Sequence, residues 1–292
     1  MKSKTDAVVK KGMIFAGCSF TWGQGLYYYS NMSTLAEPLP DQYKPELVTE
    51  CHLRFKDSVR YPRLVANHFK TFEMVSPHNG GSNTGAVEWW TNNFKATHSN
   101  HYSPHGPNMI KKEEIGHVVF QLTQWQRDNF DLIVDGETHD IPFHCIHQDQ
   151  YREKFFKWID SQQLSLESWI QQYIQGNLNK VKEFLQDCEN HGMKTLIFTW
   201  PSDYLHYIDK DPWLKERFLT FDYKGINYKS IEDLMSPSAM HSKGYNPELT
   251  IKWDEESFEV TPKDHHPSLK CHEVMAENII KRFESMPDVP SL

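Results

Sequence analysis

What most constrains this chain is an alternation. Short apolar runs at Met13–Ala16, Thr71–Val75, Ile115–Leu122 and Lys194–Thr199 are separated by segments in which apolar side chains recur every three or four positions. Runs that are apolar on both faces predict buried strands, and strands spaced by helical segments must pair in parallel through crossovers. Phe218–Phe221 is a candidate fifth strand. The resulting order, β-α-β-α-β-(insertion)-α-β-β-α, predicts a three-layer α/β/α protein with a mainly parallel five-stranded sheet.

The clearest helix spans Leu166–His191, with Ile170, Ile174, Leu178, Val181, Leu185 and Cys188 on one stripe, Ser165 as its cap and Gly192 as its stop. A last helix, Ser268–Phe283, carries Cys271, Met275, Ile279 and Phe283 on one stripe. Tyr61–Phe69, with Pro62 in its first turn, and about Thr84–Phe94 complete the set. Gly25–Arg60, with Pro38, Pro40 and Pro45, reads as an irregular excursion over the active edge. With 292 residues the chain can bury a large core, so it is expected to be one domain, 1–292, with insertions at about 126–165 and 203–260.

A formal charge of −8 and the lack of a clustered basic surface exclude a nucleic-acid binder. Five scattered cysteines, Cys18, Cys51, Cys145, Cys188 and Cys271, suit free thiols in a reducing compartment. The charged start, Met1–Lys11, is no signal peptide, and no run is long enough to span a bilayer, so a cytoplasmic protein without membrane partners is expected.

The chemistry begins at the first strand. Met13–Ala16 runs without a break into Gly17-Cys18-Ser19-Phe20-Thr21-Trp22-Gly23, which leaves the Ser19 hydroxyl at a strand's carboxyl edge, where open α/β sheets bind ligands. The same residues also read as an ordinary polar turn. What favours chemistry is the other end of the chain, where Asp264, His265, His266 and Pro267 precede the last helix. A serine hydroxyl becomes a nucleophile when an oriented base removes its proton. His266 is the candidate base and Asp264 the group that orients it. An attacked carbonyl also needs oxyanion donors. The backbone N–H of Ser19 and of Gly80 or Gly81, with Thr123 after the third strand, are the candidates.

This constellation resembles the SGNH, or GDSL-type, hydrolase family over nearly the whole chain. Gly17-Cys18-Ser19-Phe20-Thr21-Trp22-Gly23 is similar to the family's first block, with Cys18 where Asp is usual. Asn79-Gly80-Gly81-Ser82-Asn83 is similar to its second, and Asp264–Ala276 to its last, although Asp264 precedes His266 by two positions where three is commoner. The third block, Gly-x-Asn-Asp, is absent; Phe120-Gln121-Leu122-Thr123-Gln124-Trp125 stands there, and Thr123, Gln121 or Gln124 replaces the missing donor. The resemblance implies a flavodoxin-like sheet and a serine esterase, with Ser19 as nucleophile, His266 as base and then acid, Asp264 as orienting acid, and no cofactor or metal. It also implies a short-chain acyl ester of a small molecule or glycan as substrate, for instance O-acetyl on a carbohydrate, contacted by Trp22, Asn83, Gln121 and Trp125. Two other outcomes fit the same residues: a non-catalytic carbohydrate- or protein-binding module, motivated by the missing block, and an O-acyltransferase using the same triad. The oligomeric state is not legible.

Several residues have competing readings. Cys18 is a rival nucleophile or an inert small hydrophobe. His139, His144, Cys145 and His147 form a soft-ligand cluster or a polar loop. Trp22, Trp89, Trp90 and Trp125 form a substrate wall or core. Arg127 binds an anionic substrate group or a surface carboxylate.

Overall fold

The computed structural model describes residues 11–23, 26, 50–75, 81–95, 111–134, 136–143, 146, 148–236, 248–249, 252–254, 259–261 and 266–287. The chain enters through β1 (Gly12–Ala16), turns through the short α1 (Ser19–Trp22), and continues through α2 (Glu50–Val59), α3 (Tyr61–His68), β2 (Glu73–Val75), α4 (Asn83–Lys95) and β3 (Ile115–Leu122). A hairpin of β4 (Asn129–Val134) and β5 (Glu137–Pro142) leads to α5 (Asp149–Ser161), the long α6 (Leu166–Asn190) and β6 (Lys194–Thr199). Then come α7 (Leu205–Lys210), α8 (Pro212–Arg217), β7 (Phe221–Tyr223), β8 (Ile226–Tyr228), α9 (Ile231–Met235), the small hairpin β9 (Lys252–Asp254) and β10 (Glu259–Thr261), and α10 (Leu269–Ser285).

The central sheet has the order β2-β1-β3-β6, and every neighbouring pair is parallel. The chain first steps outward from β1 to β2, then crosses back to add β3 and β6 on the other side. Strand order therefore reverses between β1 and β3, and a doubly wound sheet opens a crevice at the carboxyl ends of those two strands.

Alternation along the strands divides two cores. Ile14, Ala16, Val118, Phe120, Leu122 and Ile197 face one side, where they pack with Trp90 of α4 and with Leu178, Val181 and Leu185 of α6. Met13, Phe15, Val119, Leu196 and Phe198 face the other, against Val65 of α3 and Cys271, Met275 and Ile279 of α10. Caps end the helices as their residue types dictate. Ser165 Oγ accepts the Ser168 N–H at 3.1 Å, Gly192 follows α6 at φ +80°, and Ser268 Oγ accepts the Cys271 N–H at 3.1 Å.

Three expectations change. Glu50–Val59, inside the stretch expected to be irregular, forms α2. Among the described residues the sheet has four strands, not five. Phe218 makes a single parallel bridge to Ile197, with the Leu219 N–H donating to the Ile197 carbonyl at 2.8 Å, and the chain then peels away into the β7–β8 hairpin. Just beyond this bridge α10 binds the departing chain. Asn278 Oδ1 accepts the Asp222 N–H at 2.9 Å and Asn278 Nδ2 donates to the Asp222 carbonyl at 3.2 Å, so these backbone groups bond to a helix side chain. The segment 126–165, expected as an insertion outside the core, also contributes to packing. Phe130, Leu132, Ile141, Phe143, Phe155 and Ile159 are buried in the same cluster as α4 and α6. Among the described residues no helix is long and apolar enough to cross a membrane.

Candidate active site

The exit of β1 is built by close approach. Ala16 is level with Phe120 of β3, so Gly17 lies beside Gln121, and a Cβ on Gly17 would collide with Thr21 Oγ1 and come within 2.9 Å of Gln121 Cβ. The absence of a side chain lets the chain turn at once into α1, with Ser19 as its first residue at the crevice edge. The turn is pinned from below. Thr21 Oγ1 donates to Gln121 Oε1, which fixes its one hydrogen, so the Tyr61 hydroxyl must donate to Thr21 across 2.9 Å. Gln121 Nε2 points at Cys18 Sγ, 3.3 Å away. Cys18 and Gln121 are both buried, as are Thr21 and Tyr61. Burial pushes the Tyr61 phenol well above its ordinary range, which keeps it neutral and a donor. Gln121 thus ties β3 to the β1 exit.

The second edge segment is held by Asn83 at the start of α4. Its Oδ1 accepts the Thr123 N–H at 2.8 Å. Its Nδ2 lies 3.3 Å from the Thr123 carbonyl, 2.9 Å from Asp128 Oδ2 and 2.8 Å from the Tyr204 hydroxyl, three acceptors sharing two hydrogens. Asp128 also accepts from the Thr84 N–H at 2.8 Å and from Thr84 Oγ1 at 3.1 Å, placing a carboxylate over the first turn of α4. Burial raises the Asp128 pKa, and the Thr84 and Asn83 donors oppose that rise. Thr123, directly after β3, is buried, and its Oγ1 has no hydrogen-bond partner among the described residues.

His266 arrives from the far end of the chain. It is buried, one residue ahead of Pro267 and two ahead of the α10 cap Ser268, whose Oγ donates to the Glu248 carbonyl at 2.6 Å. Its ring stands edge-on to Phe20 with centroids 5.1 Å apart, and Phe20 in turn lies 4.3 Å from the Trp200 ring. The structure therefore brings His266 against the residue that follows Ser19. Ser19 and Trp22 are described through their backbone; Gly80 and Asp264 lie outside the described residues. Gly81 is half-buried just before α4. Among the other weighed residues, Trp90 is fully buried and Trp125 nearly so, packed 4.6 Å from Phe143, which makes both of them core. His139 lies on β5, whereas His144, Cys145 and His147 lie outside the described residues.

Sequence reasoning missed Asp128, Tyr204, Tyr61 and His272. Asp128 follows the β3 exit and Tyr204 the β6 exit, so position at the carboxyl edge was the available signal. His272, fully buried in α10, accepts the Tyr61 N–H on Nδ1 at 3.2 Å and stacks on the Tyr61 ring with centroids 5.8 Å apart.

No family model matches the chain, and no curated protein matches it. Among solved structures it is similar to a carbohydrate esterase whose active site is described as displaying divergent catalytic and non-catalytic binding functions. Identity is 12%, coverage is 96% of this chain and 70% of the other, and the TM-score is 0.40.

Proposed function

We propose that the protein is a serine-dependent ester hydrolase of the SGNH type with its centre at the β1–β3 crevice. The observation that carries this reading is the approach of His266 to Phe20, the neighbour of Ser19, across nearly the whole length of the chain. In the proposed reaction Ser19 Oγ attacks an ester carbonyl while His266 takes its proton. The carbonyl oxygen becomes an oxyanion, and the alcohol leaves with the proton that His266 returns. Water then attacks the acyl-enzyme with His266 again as base, releasing the acid and restoring the serine. Asp264 is the proposed orienting acid.

The Thr123 hydroxyl, buried and without a partner among the described residues, is the proposed side-chain donor to the oxyanion, beside the backbone N–H groups of Ser19 and of Gly80 or Gly81. It takes the place of the absent third-block Asn. Asn83 and Gln121, first read as substrate contacts, are proposed instead to position the edge, since their amides bond to protein groups. The proposed substrate is a short-chain acyl ester, such as O-acetyl on a carbohydrate.

A fluorophosphonate probe tests the reading. Covalent labelling that maps to Ser19 and is lost in Ser19→Ala and His266→Ala is expected; a folded wild-type protein that stays unlabelled would sink it. That second result would favour a non-catalytic binding module on the same scaffold.

A further inference from the structure

We propose that Arg127 is the anion-recognition residue of the crevice and that the ester taken there carries a carboxylate or phosphate group, a specificity that rests on the reading of Ser19 as nucleophile. Arg127 ends the turn Trp125–Arg127 that follows β3, on the same sheet edge as Thr123. Its guanidinium lies over the Trp200 ring, 5.4 Å from the centroid. Trp200 touches Phe20, and Phe20 touches His266, so a continuous line of rings joins Arg127 to the candidate base.

Arg127 has no counter-charge among the described residues and no backbone carbonyl in its place, whereas Arg282, which also lacks an ion pair, donates to the Glu216 carbonyl. Arg60 and Arg63 reach the buried Glu73 at 3.6 and 2.7 Å, and Arg217 reaches Glu189 at 2.5 Å. Among the described residues Arg127 forms no ion pair, and its Nη1 is buried with no hydrogen-bond partner. A guanidinium stacked by one face on an indole keeps its N–H edge for an in-plane acceptor, and a buried cationic donor left without one is costly. In a chain of net charge −8, carboxylates to pair with it are plentiful, yet none of those described does so. The acceptor that fits is a planar or tetrahedral oxyanion bound through two N–H groups, which a carboxylate and a phosphate both supply. The Thr123 hydroxyl, also unpartnered, stands at the same β3 exit.

The test compares the 4-nitrophenyl esters of butyric acid, of succinic acid as its monoester, and of 3-phosphonopropionic acid. These share a chain length and differ in the terminal group. Wild type is expected to prefer at least one anionic ester over butyrate by about tenfold in kcat/KM, the scale of one charge-assisted contact. The faster of the two anionic esters names the group. In Arg127→Gln the anionic-to-neutral ratio should fall close to one, with Arg127→Lys between. The ratio does not depend on the folded fraction, so partial unfolding of a variant cannot mimic the result. A wild-type ratio of one, or a ratio that Arg127→Gln leaves unchanged, overturns the assignment. If no ester is turned over and Ser19 is not labelled, the hydrolase reading has failed separately. Calorimetric titration with the amides of the same three acids then decides: anion binding lost in Arg127→Gln upholds the role of Arg127, and a wild type that binds neither anionic amide ends it.

Discussion

The side-chain amide of Asn83 and the backbone of Thr123 hold each other across the carboxyl edge of the sheet, the Thr123 N–H donating to Asn83 Oδ1 at 2.8 Å and Asn83 Nδ2 approaching the Thr123 carbonyl at 3.3 Å. This reciprocal pair fixes the start of α4 relative to the exit of β3, the two segments proposed to supply oxyanion donors. Asn83→Leu would leave the Thr123 N–H, the Tyr204 hydroxyl and one Asp128 oxygen without their partner in a buried place. A loss of about 3 kcal/mol is expected, because an orphaned buried polar group costs more than an average hydrogen bond contributes. Urea unfolding checks it, with a lower midpoint at unchanged m. A loss below about 1 kcal/mol would mean that water enters and replaces the amide.

Gly17 is explained by space. A methyl group there would meet Thr21 Oγ1 and Gln121, and neither can retreat while Thr21 is held by Tyr61 and Gln121 by Cys18. Gly17→Ala should therefore cost about 2 kcal/mol by overpacking and displace α1, with esterase activity falling further than stability does. Double substitution with Thr21→Ala, which removes the colliding oxygen, should recover part of the stability. Full additivity of the two changes would rule out the collision as cause.

Legibility in the sequence followed locality. β3 and β6 end where the apolar runs end, and α6 and α10 lie within two residues of their periodic segments, because each is specified by its own stretch of chain. The expected fifth strand is reduced to the Phe218–Ile197 bridge, and the chain beyond it is held by Asn278 through the Asp222 backbone, a contact 56 residues away that the local pattern does not mark. The aromatic cluster of Phe130, Phe143, Phe155 and Trp169 was invisible for a similar reason: it joins a hairpin to two helices, and no single period marks it. Gly17, Ser19 and His266 could be singled out because they stand at element ends. Tyr61, Asp128 and Tyr204 bond to Thr21 or Asn83 across separations of 40, 45 and 121 residues, and a lone polar residue in a loop or helix carries no local sign of such a partner.

Two adjacent residues, Cys18 and Ser19, offer a nucleophile, and the structure separates their prospects. The Cys18 thiol is buried among apolar side chains of the α3–α10 core, with Gln121 Nε2 against its sulfur. Cys18→Ala is expected to keep fluorophosphonate labelling and ester hydrolysis within about tenfold of wild type, a loss attributable to packing. Ser19→Ala should lower kcat by at least about 1000-fold, in keeping with removal of a nucleophile. The reverse pattern, with Cys18→Ala inactive and Ser19→Ala active, would move the chemistry to the thiol. Thermal unfolding of both variants guards against a trivial loss of fold.

His272 gives the fold a pH dependence whose sign can be worked out. Its Nδ1 accepts the Tyr61 N–H, so the neutral ring carries its proton on Nε2, which has no hydrogen-bond partner among the described residues. Burial, with smaller contributions from His266 and Arg60, lowers its pKa from 6.5 to about 3. Above pH 6.5 the ring is neutral in folded and unfolded chains alike and contributes no slope. Below it the unfolded chain binds a proton that the folded chain refuses, so stability falls as pH falls from about 6.5 towards about 3, by about 1.4 kcal/mol per pH unit at full slope. His117, lowered to about 4 chiefly by burial and secondarily by Lys194 and Lys11, adds a contribution of the same sign over a shorter interval. His272→Asn keeps an acceptor near the Nδ1 position for the Tyr61 N–H and removes the titration. Urea unfolding at pH 7, 6, 5 and 4 should then give a curve shallower than wild type by about one proton between pH 6 and pH 4. Parallel curves for the two proteins would mean that the folded chain accepts the proton at His272 after all, with a carboxylate or water reaching Nε2.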